Sequence, residues 1–228
     1  TGNIRITRMD VQQITQFERK YYSDGIKYIA GEDEVGRGPL AGPFVVSAVI
    51  LDLEKIFGKY SEENPETKLY KQINDSKKVT AKKRKILSEF IKNNAISYSI
   101  EIFEAEEVDK KGLSKLTQEA FFQAVHNLDI RPQFVLTDVF KIVEWDSEKQ
   151  RNVVNGDEKS ISVASASIVA KVYRDEMMIK KHEKYSVYGF DRNKGYGTKY
   201  HINALKEYGP CEIHRKSFRP VKDILGLI

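Results

Sequence analysis

The 228 residues hold a single cysteine, Cys211, so no internal disulfide can form, and a lone thiol fits a reducing compartment, with the cytoplasm as the expectation. Long apolar runs are missing too. The longest, from Phe44 to Leu51, is broken by Ser47 and falls far short of the ~20 residues that a membrane-crossing helix needs. No basic stretch leading into a long apolar core opens the sequence, so neither a secretory signal nor a membrane partner is expected. Internal repeats and low-complexity segments are also absent. What remains, 40% hydrophobic and 31% charged residues, describes a folded globular chain of one main core rather than a disordered one.

The net charge of +5 is unevenly spread. "KKVTAKKRK", from Lys77 to Lys85, carries six basic residues and no acid. The stretch from Gly189 to Val221 carries seven lysines and arginines against three acids, whereas Glu101 to Asp109 carries five acids. Such a surface is polarised, and its basic side suits a polyanion.

Hydrophobic periodicity predicts a strand at about 26–34, a partner strand in "FVVSAVIL" joined by the short "GPLAG" connection, and a third strand in "AISYSIEIF". A helix with Thr80 or Asp75 as N-cap precedes that third strand, with Ile86, Leu87, Phe90 and Ile91 at helical spacing. Residues 54–72 show no clean period and are expected to be an inserted loop. Two helices, 105–110 and 113–128, precede a buried strand at 134–137 that delivers Asp138 at its end. Residues 143–160 are expected to form an exposed hairpin or loop, with "NVV" (152–154) pairing with the sheet edge. A long helix follows to 184, its first half so rich in alanine and serine that it can approach a sheet closely, and a short helix from Lys199 to Tyr208 lies in the tail. Strands interleaved with helices predict an α/β fold: a mixed β-sheet flanked by helices, with a C-terminal helical extension. The expected division is an N-terminal extension (1–25), a core (26–185) and the C-terminal extension (186–228).

"GEDEVGRGPLAG" places Glu32, Asp33 and Glu34 at the end of the first strand, directly before a loop with three glycines. Groups at the C-terminal ends of strands in such a sheet converge on one crevice. Asp33, Glu34 and Asp138 are therefore candidates for a single pocket, with Asp175 of the long helix as a fourth member. Successive strand residues point to opposite faces, so Asp33 and Glu34 share a site only if the strand breaks at Glu34. Crowded carboxylates need cations, and oxygen ligands select Mg²⁺ or Mn²⁺. Other acidic pairs, Glu62-Glu63, Glu106-Glu107 and Asp157-Glu158, show that a pair alone is weak evidence of a site, and Asp175 is also placed to pair with Lys171 at i−4.

These blocks resemble a family. "GEDEVGRGPLAGP", "NDSKKVTAKKR", "FVLTD", "GDEKSISVASASIVAKVYRDEMM" and "YGFDRNKGYGTKYHINALKEYGPCEIHRKSF" are similar, in order, to the signatures of type 2 ribonuclease H, specifically ribonuclease HII. The resemblance implies a ribonuclease H-like core and assigns Asp33, Glu34, Asp138 and Asp175 both to the metal ions, two per site with substrate, and to catalysis. It further implies that Gly36, Arg37 and Gly38 meet the 2′-hydroxyl of a ribonucleotide through the backbone. By the same likeness Tyr196 packs on the deoxyribose after that ribonucleotide, and Lys77, with Ser76, contacts a phosphate. The chain departs from the family at Val139, where glycine is frequent. Arg37 and the short N-terminal stretch favour ribonuclease HII over the sister type HIII, which acts on hybrids.

The implied reaction is two-metal hydrolysis on the 5′ side of ribonucleotides, in RNA·DNA hybrids or singly embedded in duplex DNA, leaving 3′-hydroxyl and 5′-phosphate ends. No protein nucleophile is required. Ser165, Ser167 and Cys211 are accordingly expected to be packing residues, and His214 structural or phosphate-facing. The ending "DILGLI" has no clear docking motif, so a monomer is expected and a sliding-clamp partner stays open. A non-catalytic nucleic-acid-binding module and a hydrolase of small phosphoesters remain as rivals. Steep salt dependence of binding with no Mg²⁺-dependent cleavage would mark the first, and turnover of a small phosphoester the second.

Overall fold

The computed structural model describes residues 14–58, 65–73 and 79–227. Its five-stranded sheet has the order β3-β2-β1-β4-β5, with β1 Ile29–Val35, β2 Phe44–Leu51, β3 Ala95–Phe103, β4 Phe134–Asp138 and β5 Gln150–Val153. The helices are α1 Gln16–Ser23, α2 Leu53–Phe57, α3 Pro65–Tyr70, α4 Ala81–Asn94, α5 Ala105–Lys111, α6 Leu113–His126, α7 Gly156–Lys159, α8 Ile161–Lys184, α9 Phe190–Asn193, α10 Lys199–Tyr208 and α11 Val221–Ile224.

The central strand β1 pairs antiparallel with β2 and parallel with β4. Alternation then assigns its two faces. Ile29 joins the apolar cluster shared with α8, and Ala30 joins the one shared with α6, whose Leu116, Ala120 and Phe121 are buried. At Gly31 the fit is so close that a β-carbon would sit 2.1 Å from the Ser162 carbonyl carbon. The small residues at the start of α8 allow this approach, and they place that helix directly over β1. A third apolar cluster joins Leu40 and Ala41 to Phe190, Leu205, Ile213 and Val221, seating the tail against the glycine loop.

Two stretches differ from expectation. Residues 54–72 contain α2, capped by Asp52 accepting from the Lys55 amide, and α3; helices of five and six residues are too short to show a period. The edge pairing expected of "NVV" is found, but as a parallel strand on β4 at residues 150–153 rather than as a hairpin. The preceding crossover is held by Gln150, whose amide accepts from Ile142 N–H and donates to the carbonyls of Ile142 and Trp145.

Candidate active site

β1 and β4 run side by side until Glu32 faces Thr137, and there their ladder stops. One step further along the same register, Asp33 and Asp138 stand across the opening. Asp33 is 7% exposed, and burial first, then the charges of Glu34 and Asp138, hold its carboxyl well above the usual carboxylate range. Hydrogen bonds from the Ser167 side chain and the Glu34 amide, the latter at 2.8 Å, oppose that shift. Three carboxylates from two strand ends therefore repel one another in a largely dry place.

The expected break at Glu34 is absent. β1 continues to Val35, paired with β2 through Glu34↔Val46 and Val35↔Val45. Asp33 and Glu34 point to opposite faces, and they interact because the ladder to β4 has ended, leaving that edge of β1 open to both. Glu34 lies with Arg37 Nε 3.9 Å from its Oε1. Arg37 otherwise turns inward, donating to Thr117 Oγ1 at 2.6 Å and stacking 4.6 Å from the Phe140 ring centroid. Its side chain anchors the loop.

Asp138 accepts a hydrogen bond from the Gly156 amide at 2.9 Å. The next residue, Asp157, is buried at 5% exposure. Asp175 is placed differently. It pairs with Lys171 at 2.6 Å and with Arg84 of α4 at 3.5 Å. It lies eight residues past Ser167, the residue that touches Asp33, and at 1.5 Å per residue that is ~12 Å along the helix axis. Asp175 thus lies about two helical turns from the residue that touches Asp33 and is tied to Lys171 and Arg84, whereas Asp157 directly follows the glycine whose amide holds Asp138. Ser167, expected only to pack, is a hydrogen-bond partner of Asp33.

The glycine loop is held by two fully buried arginines. Arg174 donates to the carbonyls of Pro43, Ala41 and Lys194, and Arg215 to those of Gly42 and Arg37. Burial, and for Arg215 also the charge of Arg174, makes both cations costly, and backbone carbonyls satisfy them. Gly36, at φ 100°, has no room for a side chain, because a β-carbon would lie 2.6 Å from Arg174 Nε and 2.7 Å from the Pro43 oxygen. Gly38 is the opposite case. The nearest atom to an added β-carbon is Tyr196 Cε1 at 3.9 Å, an ordinary van der Waals contact, so a side chain would fit there and the loop lies beside the 41%-exposed Tyr196. Ser76 and Lys77 lie outside the described residues.

The donor set of the opening, carboxylate oxygens without sulfur or imidazole, fits Mg²⁺ or Mn²⁺. Among the described residues no group of three or more acidic, histidine or cysteine side chains is arranged so that it could hold a metal ion. One oxygen each of Asp33 and Asp138 is committed to a backbone amide instead. Sequence reasoning also missed Glu32, which is fully buried on the α6 side with neither oxygen hydrogen-bonded. Burial, and secondarily the charge of Glu34, holds its carboxyl far above the usual range. Among the described residues no helix is long and apolar enough to cross a membrane.

A family model described as Ribonuclease HII matches residues 30–221. Ribonuclease HII of Clostridium perfringens is 50% identical over 199 residues, covering 87% of this chain and 68% of that protein. Ribonuclease HII of Chlamydia caviae is 41% identical over 212 residues, covering 92% and 93% respectively. Among solved structures, ribonuclease H2 from Pyrococcus horikoshii OT3 aligns with a TM-score of 0.70 at 25% identity, over 86% of this chain and 96% of that one.

Proposed function

The chain belongs to the ribonuclease HII family and is a ribonuclease H endonuclease acting on nucleic acid; on that premise we propose that it cuts on the 5′ side of ribonucleotides, in RNA·DNA hybrids and singly embedded in duplex DNA, leaving 3′-hydroxyl and 5′-phosphate ends. The observation that carries this reading is Asp33, buried and opposed by Glu34 and Asp138 at the open end of β1 and β4. Carboxylates crowded in this way are tolerable when divalent cations neutralise them.

Asp33, Glu34 and Asp138 would hold Mg²⁺ or Mn²⁺, with Asp157 in the fourth place in preference to Asp175. When bound, such ions supply an activated water and neutralise charge on the leaving 3′ oxygen. The chain's own residues do the rest. Ser167 and the Glu34 amide fix the Asp33 carboxylate, and Gly156 fixes that of Asp138. Gly38 leaves its backbone open to the 2′-hydroxyl, the group that distinguishes RNA from DNA. Tyr196, facing Gly38, offers its ring to the sugar that follows, and so reads the RNA-to-DNA junction. Arg37 contributes backbone only, while Ser76 and Lys77 keep their expected phosphate contact.

The test is a duplex carrying one ribonucleotide, treated with wild type and with Asp138→Asn, each with and without Mg²⁺. Mg²⁺-dependent cutting by wild type, largely lost in the variant, is expected; full-rate cutting by the variant removes Asp138 from the site.

A further inference from the structure

Behind Tyr196, in the C-terminal part, lie two buried histidines that the proposed chemistry does not use. His201 is 0% exposed and His214 1% exposed, and their Nε2 atoms are 2.9 Å apart. His201 Nδ1 lies 2.9 Å from the carbonyl oxygen of Tyr196, and His214 Nδ1 lies 2.9 Å from the amide nitrogen of Cys211.

Only one arrangement of protons satisfies this chain of contacts. A carbonyl accepts, so His201 Nδ1 carries the hydrogen, and in a neutral ring its Nε2 is then an acceptor. His214 Nε2 must donate to it, leaving His214 Nδ1 to accept from the Cys211 amide. The Cys211 Sγ, 3.1 Å from that same Nδ1, is compatible with the assignment because burial pushes its thiol up to about 11 and keeps it protonated. Neutral rings are also what burial imposes. It pulls His201 down and, together with the nearby charge of His201, brings His214 to about 4. Tyr188 and Phe190 close over the pair, with ring centroids 4.8 and 5.3 Å from His214 and His201 respectively.

We propose that His201 is a positioning residue for Tyr196, its tautomer set by His214 and the Cys211 amide, so that a relay ending on the Tyr196 carbonyl fixes where that tyrosine stands opposite Gly38. This rests on the reading of Tyr196 as the junction-sensing residue. The other side of the segment is already fixed. The Gly195 carbonyl accepts from Leu40 N–H at 2.8 Å, and a β-carbon on Gly195 would lie 2.2 Å from the Ala41 oxygen. The loop therefore holds residue 195, while the Tyr196 carbonyl is held by the Thr198 amide at 2.8 Å and by His201. Removing His201 leaves one of those two donors, which loosens the tyrosine without releasing it.

Asparagine and glutamine separate the two ends of the relay. His201→Asn places an amide N–H near the Nδ1 position and keeps the bond to Tyr196, whereas His201→Gln reaches toward His214 and withdraws that bond. The measured quantity is the ratio of kcat/KM on a duplex with one ribonucleotide to kcat/KM on a hybrid with an all-RNA strand. A ratio is insensitive to the fraction of folded enzyme. We expect Tyr196→Ala to lower it, His201→Gln to lower it roughly five- to tenfold through one lost hydrogen bond, and His201→Asn to leave it near the wild-type value. His201→Gln added to Tyr196→Ala should change it no further, since the two act through one contact. An unchanged ratio in His201→Gln, where Tyr196→Ala lowers it, overturns the relay alone. An unchanged ratio in Tyr196→Ala overturns the reading of Tyr196 and the relay with it.

Discussion

The amide of Gly156 donates to Oδ1 of Asp138 at 2.9 Å, tying the short α7 to the end of β4, and the residue that follows, Asp157, is buried. Asp157→Asn is expected to lower Mg²⁺-dependent cleavage on the order of 100-fold or more, the scale of losing one group that stabilises developing charge. Asp175→Asn, which breaks an ion pair with Lys171 and Arg84, should cost far less. Single-turnover rates of the two variants decide between them, and the reverse ranking restores Asp175 to the site.

Gly36 and Gly38 should separate fold from function. Gly36→Ala forces a side chain onto Arg174 and Pro43 at φ 100°, and is expected to lower stability by about 1–3 kcal/mol. Gly38→Ala meets nothing closer than 3.9 Å, so its thermal midpoint should stay near wild type while cleavage falls steeply. A fully active Gly38→Ala would show that no substrate backbone contact is made there.

Val139 occupies a left-handed conformation at φ 61°, just past Asp138 and 49% exposed. A β-branched residue pays there for a backbone that glycine adopts freely. Val139→Gly should raise stability by about 1 kcal/mol, the left-handed penalty less the extra entropy of glycine. Equilibrium unfolding in urea reads the difference; a loss of stability would refute the strain.

Glu32 is buried with neither carboxyl oxygen hydrogen-bonded, so its polarity is a pure cost to the fold. Glu32→Leu, similar in volume, is expected to gain about 1–3 kcal/mol at neutral pH. Urea unfolding of the variant checks this, and destabilisation would mean that the carboxyl has a partner when the protein works.

The His201–His214 pair should weaken the protein in mild acid. Both rings are held below the ordinary histidine range, His214 to about 4, so between about 6.5 and 4 the unfolded chain binds protons that the folded one does not. Their contribution is complete above about 6.5 and is lost as pH falls toward 4. Tyr188, Phe190 and Cys211, packed on the pair, carry no charge in that window. The raised carboxyls of Glu18, Glu32 and Asp33 act in the opposite direction, so the comparison is with His201→Asn/His214→Gln. The thermal midpoint of wild type minus that of the double variant should fall steadily as pH drops, and a flat difference would contradict the burial argument.

Local pattern was enough to read much of the fold. Alternation and β-branching marked β1 to β4, helical spacing marked α4 and α6, and the alanine–serine run foretold the close seat of α8 on the sheet, which Gly31 makes possible. These are properties of neighbours in the chain, where residue spacing fixes direction. α2 and α3 were missed because helices of five or six residues carry too little periodicity to speak for themselves, while for β5 the edge pairing was legible but not its parallel sense. The sequence by itself also determined that Asp33 and Asp138 lie at or near the C-terminal ends of their strands, and hence that they could meet. The family signature pointed to Asp175, and only the seat of α8 on β1, with Ser167 at Asp33, reveals that Asp175 rides about two turns further along the helix. The histidine relay was equally invisible, since partners five and thirteen residues from His201 become neighbours only when α10 packs against the tail. Distances between elements are set by how buried faces pack, and no local pattern encodes them.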